Sequence, residues 1–147
     1  MKLEISRILG IGTISLFVLI TLQCKESSLG ISDMWVREPL KGMGMTAGYM
    51  KLSNQGPESI ELTKAECPDF EKLELHETIM DGDVMKMRPV ESLTIKPGET
   101  LELKPHAHHL MLIGPKKEIK AGDSLEITLY FRNAPARKLA LPVKAME

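Results

Sequence analysis

The sequence predicts an all-β domain, an antiparallel sandwich or barrel, and three observations carry that prediction. Apolar and polar residues alternate with a period of two in short runs, turn signals containing Gly or Pro separate the runs, and no stretch of helical period is long enough to compete. Strands of this kind bury one sheet face against another. The chain has 147 residues, 43% hydrophobic and 27% charged, which is the range of one globular domain. No internal repeat or second domain is visible.

The first residues, Met1 to Arg7, form a short, positively charged start, and the run Ile8 to Leu22 carries no charge. That run is too short to cross a bilayer as a helix but suits the apolar part of an export signal. A lone Cys24 ends it, as in a bacterial lipoprotein signal, although Gln23 is large for the position before cleavage. The expected organisation is a signal peptide over 1–23, a polar tether over 24–30 and a folded domain over 31–147. The chain is then exported to the periplasm or cell envelope and held to the membrane by a lipid on Cys24.

Within the domain the strands follow in order. Leu73 and Leu75 alternate with Lys72, Glu74 and His76. Leu93 and Ile95 run into Pro97-Gly98 and on to Leu101 and Leu103, which reads as a hairpin. Leu110 and Leu112 alternate with His109, Met111 and Ile113; after the Gly122-Asp123 turn come Leu125, Ile127, Leu129 and Phe131, and then Leu139, Leu141 and Val143.

Composition excludes several functions. Nineteen basic residues against twenty acidic ones leave no surplus positive charge for a phosphate backbone, so nucleic acid is not an expected partner. Two cysteines make neither a disulfide framework nor a four-thiolate zinc site. No nucleophile-base pair, phosphate loop or carboxylate dyad appears with recognisable spacing, so the chain does not read as an enzyme. What stands out is methionine, ten residues in a chain with one Trp, two Tyr and three Phe.

The chemistry lies where the histidines meet these methionines. There are four histidines, His76, His106, His108 and His109. His109 and Met111 share one face of their strand, opposite Leu110 and Leu112, and so point outward or into a loop-covered pocket. Met85 and Met87 share a face opposite Lys86 and Arg88, and His76 leaves its strand opposite Leu73 and Leu75. Singly, a Met on a strand is usually core filler and a lone His is usually solvated. As a set, His76, Met87, His109 and Met111 offer two imidazoles and two thioethers. These soft, uncharged donors suit Mg²⁺ and Ca²⁺ poorly and Zn²⁺ weakly, but match Cu(I) well.

Asp33-Met34-Trp35-Val36-Arg37-Glu38-Pro39, Thr46-Ala47-Gly48-Tyr49-Met50, Leu75-His76-Glu77, Val84-Met85-Lys86-Met87-Arg88-Pro89-Val90 and His109-Leu110-Met111-Leu112 together resemble the periplasmic copper chaperones called PCuAC. The family pattern is His, ten residues, Met, twenty-one residues, His-x-Met, and the gaps from His76 to Met87 and from Met87 to His109 agree with it. The resemblance covers about Ile31 to Val143. It implies a cupredoxin-like antiparallel β-sandwich of Greek-key type, binding one Cu(I) through His76, Met87, His109 and Met111. It further implies delivery of copper toward the binuclear copper centre of cytochrome c oxidase. The acceptor is then the copper-accepting domain of oxidase subunit II or a thioredoxin-like copper protein.

Three further residues are auxiliary candidates: Met43 and Met45 in a Gly-interleaved loop, and Cys67, a free thiol near the site whose favoured reading is nevertheless a small buried hydrophobe. His106 and His108 are expected in an exposed loop. The competing expectation is a surface lipoprotein whose Met/His cluster is a protein-contact patch, or one that sequesters copper instead of delivering it.

Overall fold

The structure, a computed structural model, describes residues 28–145. The proposed signal peptide and Cys24 therefore lie outside the described residues. Ten strands and no helix occur within them: β1 (Leu29–Arg37), β2 (Met45–Asn54), β3 (Ile60–Glu66), β4 (Phe70–Asp81), β5 (Val84–Pro89), β6 (Leu93–Ile95), β7 (Thr100–Leu103), β8 (His109–Pro115), β9 (Ser124–Arg132) and β10 (Arg137–Lys144). The hydrogen-bonded order is β5-β4-β8-β2-β1-β10-β9-β3-β6, with β7 also pairing β2. Strands far apart in sequence thus lie side by side, the crossing connectivity of a Greek key.

This long sheet is folded so that its two halves share one core. Val36, Met50, Leu52, Leu110 and Leu112 come from one half and Ile60, Leu62, Leu125, Ile127 and Leu129 from the other, all within a single buried cluster. Two bulges keep the inward faces inward. In β1 the register shifts by one between Ser32 and Trp35, around Asp33 at φ 52°. The shift changes which parity faces in, so that Leu29 before it and Val36 after it are both buried. A second shift between Leu62 and Lys64 in β3 does the same for Leu62 and Ala65.

Three expectations are corrected. Leu29 and Gly30 belong to β1 and Leu29 is buried, so the tether does not extend to residue 30. The segments flanking Pro97-Gly98 do not form a hairpin, because β6 pairs β3 and β7 pairs β2. The turn is present, with Gly98 at φ 74° and the Glu99 amide donating to the Lys96 carbonyl, but it passes the chain from one half of the sandwich to the other. Finally, the antiparallel sandwich holds with one exception among the strand pairs: β1 and β10 pair in parallel through Val36 with Val143 and Arg37 with Lys144.

Asn54 fastens this crossover. It is fully buried; its side-chain amide donates to the carbonyls of Glu58 (2.7 Å) and Ile95 (3.0 Å), and its Oδ1 accepts from the Gly56 amide (3.0 Å). Its backbone carbonyl accepts from Gly98 and its backbone amide donates to Glu99. A buried primary amide is tolerated because its polar atoms are so fully used.

Candidate metal centre

Three neighbouring strands, β5, β4 and β8, build the site, and their register decides its membership. Across β4 and β8, His76 lies opposite His109 and Glu74 opposite Met111; across β4 and β5, Thr78 lies opposite Met87. Because side chains alternate with a period of two and direct partners share a face, His76, Met87, His109 and Met111 all emerge on one side of the sheet. The other side of β8 carries Leu110 and Leu112, both fully buried in the core. β2 extends the site face, since Ala47 lies opposite Met111 and Met45 opposite Ile113.

This face is covered. A cavity of about 400 Å³ has His109 and Met111 in its wall, together with Met87, Met85, Met43 and Met45. Arg37 at the end of β1, Glu38, Leu40 and Met43 in the loop that follows it, and Pro105 and His106 before β8 close over it. Of the two faces the sequence left open for His109 and Met111, the loop-covered pocket is the one observed. Both side chains are nearly inaccessible, at 4% and 8% exposure, whereas Met87 stands at the rim with 60%. His76 does not itself line the cavity; its ring lies behind the wall, 5.8 Å from the His109 ring between centroids.

Hydrogen bonds orient both imidazoles. His109 Nδ1 lies 3.1 Å from the Ala107 carbonyl, which can only accept, so Nδ1 carries the proton and Nε2 keeps a lone pair. His76 Nε2 donates to the Glu74 carboxylate at 2.8 Å. That leaves His76 Nδ1 buried with no hydrogen-bond partner. A buried, unpartnered nitrogen costs on the order of 1–3 kcal/mol, a cost that a bound ion removes. A carboxylate behind an imidazole is also the usual outer support of a metal-binding histidine.

The electrostatics favour the neutral His109 ring that a soft metal needs. Burial holds the His109 imidazole below the ordinary histidine range, and the nearby His76, His108 and Arg37 push the same way against the Ala107 carbonyl. Glu74 is held below the usual carboxylate range by Lys72 first and His76 second, so it remains the acceptor of the His76 N–H. Among the described residues no three His, Cys, Asp or Glu side chains gather as a metal site. The face offers thioether sulfur beside imidazole nitrogen, a donor set that suits soft ions.

The auxiliary candidates divide. Met43 and Met45 stand in the cavity wall. Cys67 does not: it is buried in the aliphatic core, 5% exposed, and burial pushes its thiol up, so it is the small hydrophobe and not a donor. His106 lies in an exposed turn as expected, at φ 63°, and also lines the cavity, while His108 is half-buried with Nε2 3.7 Å from the Glu77 carboxylate. Sequence reasoning missed the supporting role of Glu74, whose signal is its place two residues before His76 on the same strand face. It also missed Tyr49, which lines the cavity and packs against Trp35 at 4.6 Å between centroids, the rings tilted by 46°.

A folded-over β-sheet carrying two imidazoles and a group of thioethers on one covered face has the architecture of a PCuAC domain. The copper-bound PCuAC domain from PmoF2 matches it with a TM-score of 0.72, covering 82% of this chain and 95% of that one at 22% identity. The solution structure of CuI-DR1885 from Deinococcus radiodurans matches with a TM-score of 0.65, covering 84% and 81% at 30% identity. The family described as "Putative lipoprotein LpqE-like" matches residues 29–143, and the chain belongs to this LpqE-like family. It is 33% identical over 115 residues to "Putative lipoprotein Lxx21020" of Leifsonia xyli subsp. xyli, covering 78% of this chain and 68% of that one. It is 30% identical over 110 residues to "Uncharacterized protein RP573" of Rickettsia prowazekii, covering 72% and 61%. The chain thus spans about two thirds of the length of these relatives.

Proposed function

We propose that this protein is an extracytoplasmic Cu(I) carrier that binds one ion through His76, Met87, His109 and Met111. It delivers that ion toward the binuclear copper centre of cytochrome c oxidase. The observation that carries the reading is that two imidazoles, each hydrogen-bonded through one ring nitrogen so that the other is left free, and two thioethers share one sheet face. The similarity to copper-loaded DR1885, 30% identical, supports copper as the cargo. Two thioether sulfurs beside two imidazoles, with no carboxylate oxygen in the set, make Cu(I), and not a harder ion, its match.

The geometry suggests how cargo is held and released. His109 and Met111, deep in the wall, supply the fixed donors; Met87, exposed on the rim of a strand that is itself exposed along its length, supplies the displaceable one. An acceptor ligand approaches the ion from the Met87 side and takes that thioether's place while the deep donors still hold. Copper is cargo here, so the protein acts as a carrier and not as an enzyme. Anchoring through a lipid on Cys24 keeps it at the membrane surface beside its acceptor, and the lipoprotein names within the family support that placement.

Anaerobic Cu(I) titration against a competing chelator tests the reading. One tight equivalent in the wild type, weakened in both Met87→Ala and His109→Ala, is the expected result. Equal affinity in all three proteins overturns the ligand assignment.

A further inference from the structure

Two cations stand side by side on the site face. β1 and β10 pair Arg37 with Lys144 as direct partners, one residue beyond the buried pair Val36 and Val143, so both side chains point away from the core. Trp35, two residues before Arg37 on the same face, is the direct partner of Tyr49, and both Tyr49 and Arg37 stand in the cavity wall. Each cation lies over a ring. Arg37 Cζ is 5.6 Å from the centre of Tyr49, Lys144 Nζ is 5.5 Å from that of Trp35, and the two ring centres are 4.6 Å apart.

Neither charge is answered by an acid. Most lysines and arginines among the described residues hold a carboxylate, as Lys51, Arg88 and Arg132 do. Arg37 and Lys144 make no ion pair with any described residue. Of the neighbouring acids, Glu38 accepts from the Ala121 amide at 3.1 Å and Asp33 binds Lys51 at 2.9 Å. Like charges on adjacent strands repel, so the pair is best placed against an anion. That anion is not part of the copper site, because a guanidinium in the wall repels a bound cation. Its charge does reach the proposed ligands: after burial, Arg37 is one of the groups that hold the His109 imidazole below the ordinary histidine range. What a positive wall attracts is the other party in a transfer, an acceptor with anionic groups.

We propose that Arg37 and Lys144, on the rings of Tyr49 and Trp35, form a docking pad for an acceptor protein that carries carboxylates beside its copper-binding thiolates. The inference rests on the carrier reading above and names the chemistry of the partner. Arg37 on β1 and Met87 on β5 bound the cavity from opposite sides, with β4, β8 and β2 between them. A partner seated on the pad therefore spans the cavity and brings its thiolates to the Met87 side, where one replaces the thioether while copper remains Cu(I). A membrane surface would call for a broader basic face than two cations, and Arg37 belongs to the cavity wall, so its partner is the one that meets the copper.

Two synthetic dithiol peptides test the pad, one with aspartates flanking its cysteine pair and one with asparagines in their place. Copper transfer from the full-length Cu(I)-loaded chain should favour the aspartate peptide by about tenfold at low ionic strength, and the preference should shrink as salt is added. In Arg37→Gln combined with Lys144→Gln the preference should fall several-fold. The ratio of the two peptides within one protein cancels any change in Cu(I) affinity, and the wild-type salt series stands on its own if the variant does not fold. Equal preference in wild type and variant, or a preference indifferent to salt, overturns the pad and leaves the carrier reading standing. Binding to phosphatidylglycerol vesicles that the variant loses, with no peptide preference in the wild type, overturns it in favour of a membrane contact. Transfer to neither peptide overturns the carrier reading together with the pad.

Discussion

His76 and His109 face each other directly across β4 and β8, their ring centroids 5.8 Å apart, and each is held from behind by its own acceptor. Glu74 accepts from His76 Nε2, and the Ala107 carbonyl accepts from His109 Nδ1. The two rings therefore use opposite nitrogens for support. Under the proposed function the free nitrogens are His76 Nδ1 and His109 Nε2.

The support on His76 is testable apart from the ligands. Glu74→Ala removes the carboxylate and leaves the ring free to take the other tautomer or swing. Loss of such an outer partner typically lowers metal affinity by about 10–100-fold. Glu74 is partly exposed and its ion pair with Lys72 lies at the surface, so global stability should change little. Chelator competition together with urea unfolding checks both halves. Unchanged Cu(I) affinity in Glu74→Ala would show that His76 does not depend on this orientation.

The pH response follows from the depressed proton affinity of His109. Its ordinary value is 6.5 and burial lowers it in the folded protein, so the ring stays neutral and available below the pH at which an exposed histidine is half charged. Cu(I) competes with a proton at this nitrogen. Affinity should therefore hold as pH falls through the ordinary histidine range and then decline by up to about tenfold per pH unit for this ligand. The copper-free protein should show a matching stability trend. The unfolded chain takes up the proton first, so stability is full above about 6.5 and is lost as pH falls from there toward the folded value. A Cu(I) affinity flat down to pH 4 would exclude His109 as a ligand.

The site face was legible because it depends on parity alone. Leu110 and Leu112 declare the core side of β8, and His109 and Met111 must then lie opposite. What covers that face was not legible, because the cover comes from residues 37–43 and 105–106, remote from β8 in sequence or irregular in backbone. The hairpin expected at Pro97-Gly98 failed for a related reason. A tight turn looks the same whether its arms pair with each other or with strands in opposite halves of a sandwich, and only the non-local partners β3 and β2 decide. β1 and β3 gave no clean alternation because a bulge in each changes the parity midway, a break that periodicity reads as the end of a strand. Cys67 shows the limit of proximity in sequence: it lies nine residues before His76 yet sits in the aliphatic core.

Asn54 gives a prediction about the fold. Replacing it with Ala strands the carbonyls of Glu58 and Ile95 and the amide of Gly56 in or near the interior. Each buried orphan costs on the order of 1–3 kcal/mol, and partial access of water to the Glu58 side reduces the sum, so a loss of about 3 kcal/mol is expected. A shift in the urea midpoint at constant slope is the readout. A change below about 1 kcal/mol would mean that the crossover between β6 and β7 is held by its backbone bonds alone.

Delivery is the claim furthest from the residues, and the rim position of Met87 is what makes it testable. A storage site is best served by donors that are all buried; here His109 and Met111 are buried while Met87 is 60% exposed. An acceptor with Cys thiolates offers negatively charged donors against neutral thioethers and so draws Cu(I) downhill once Met87 is displaced. The Cu(I)-loaded protein should therefore pass copper, without added chelator, to the apo thiolate-containing domain of cytochrome c oxidase subunit II or to a thioredoxin-like copper protein. Met87→Ala should still fold, since an exposed side chain contributes within about 0.5 kcal/mol, but should hold copper less tightly before transfer. In cells, deletion should reduce oxidase activity when copper is scarce, with recovery on adding copper. Intact oxidase activity at low copper combined with sensitivity to excess copper would make the protein a sequestering one, and the exposed Met87 would then need another explanation.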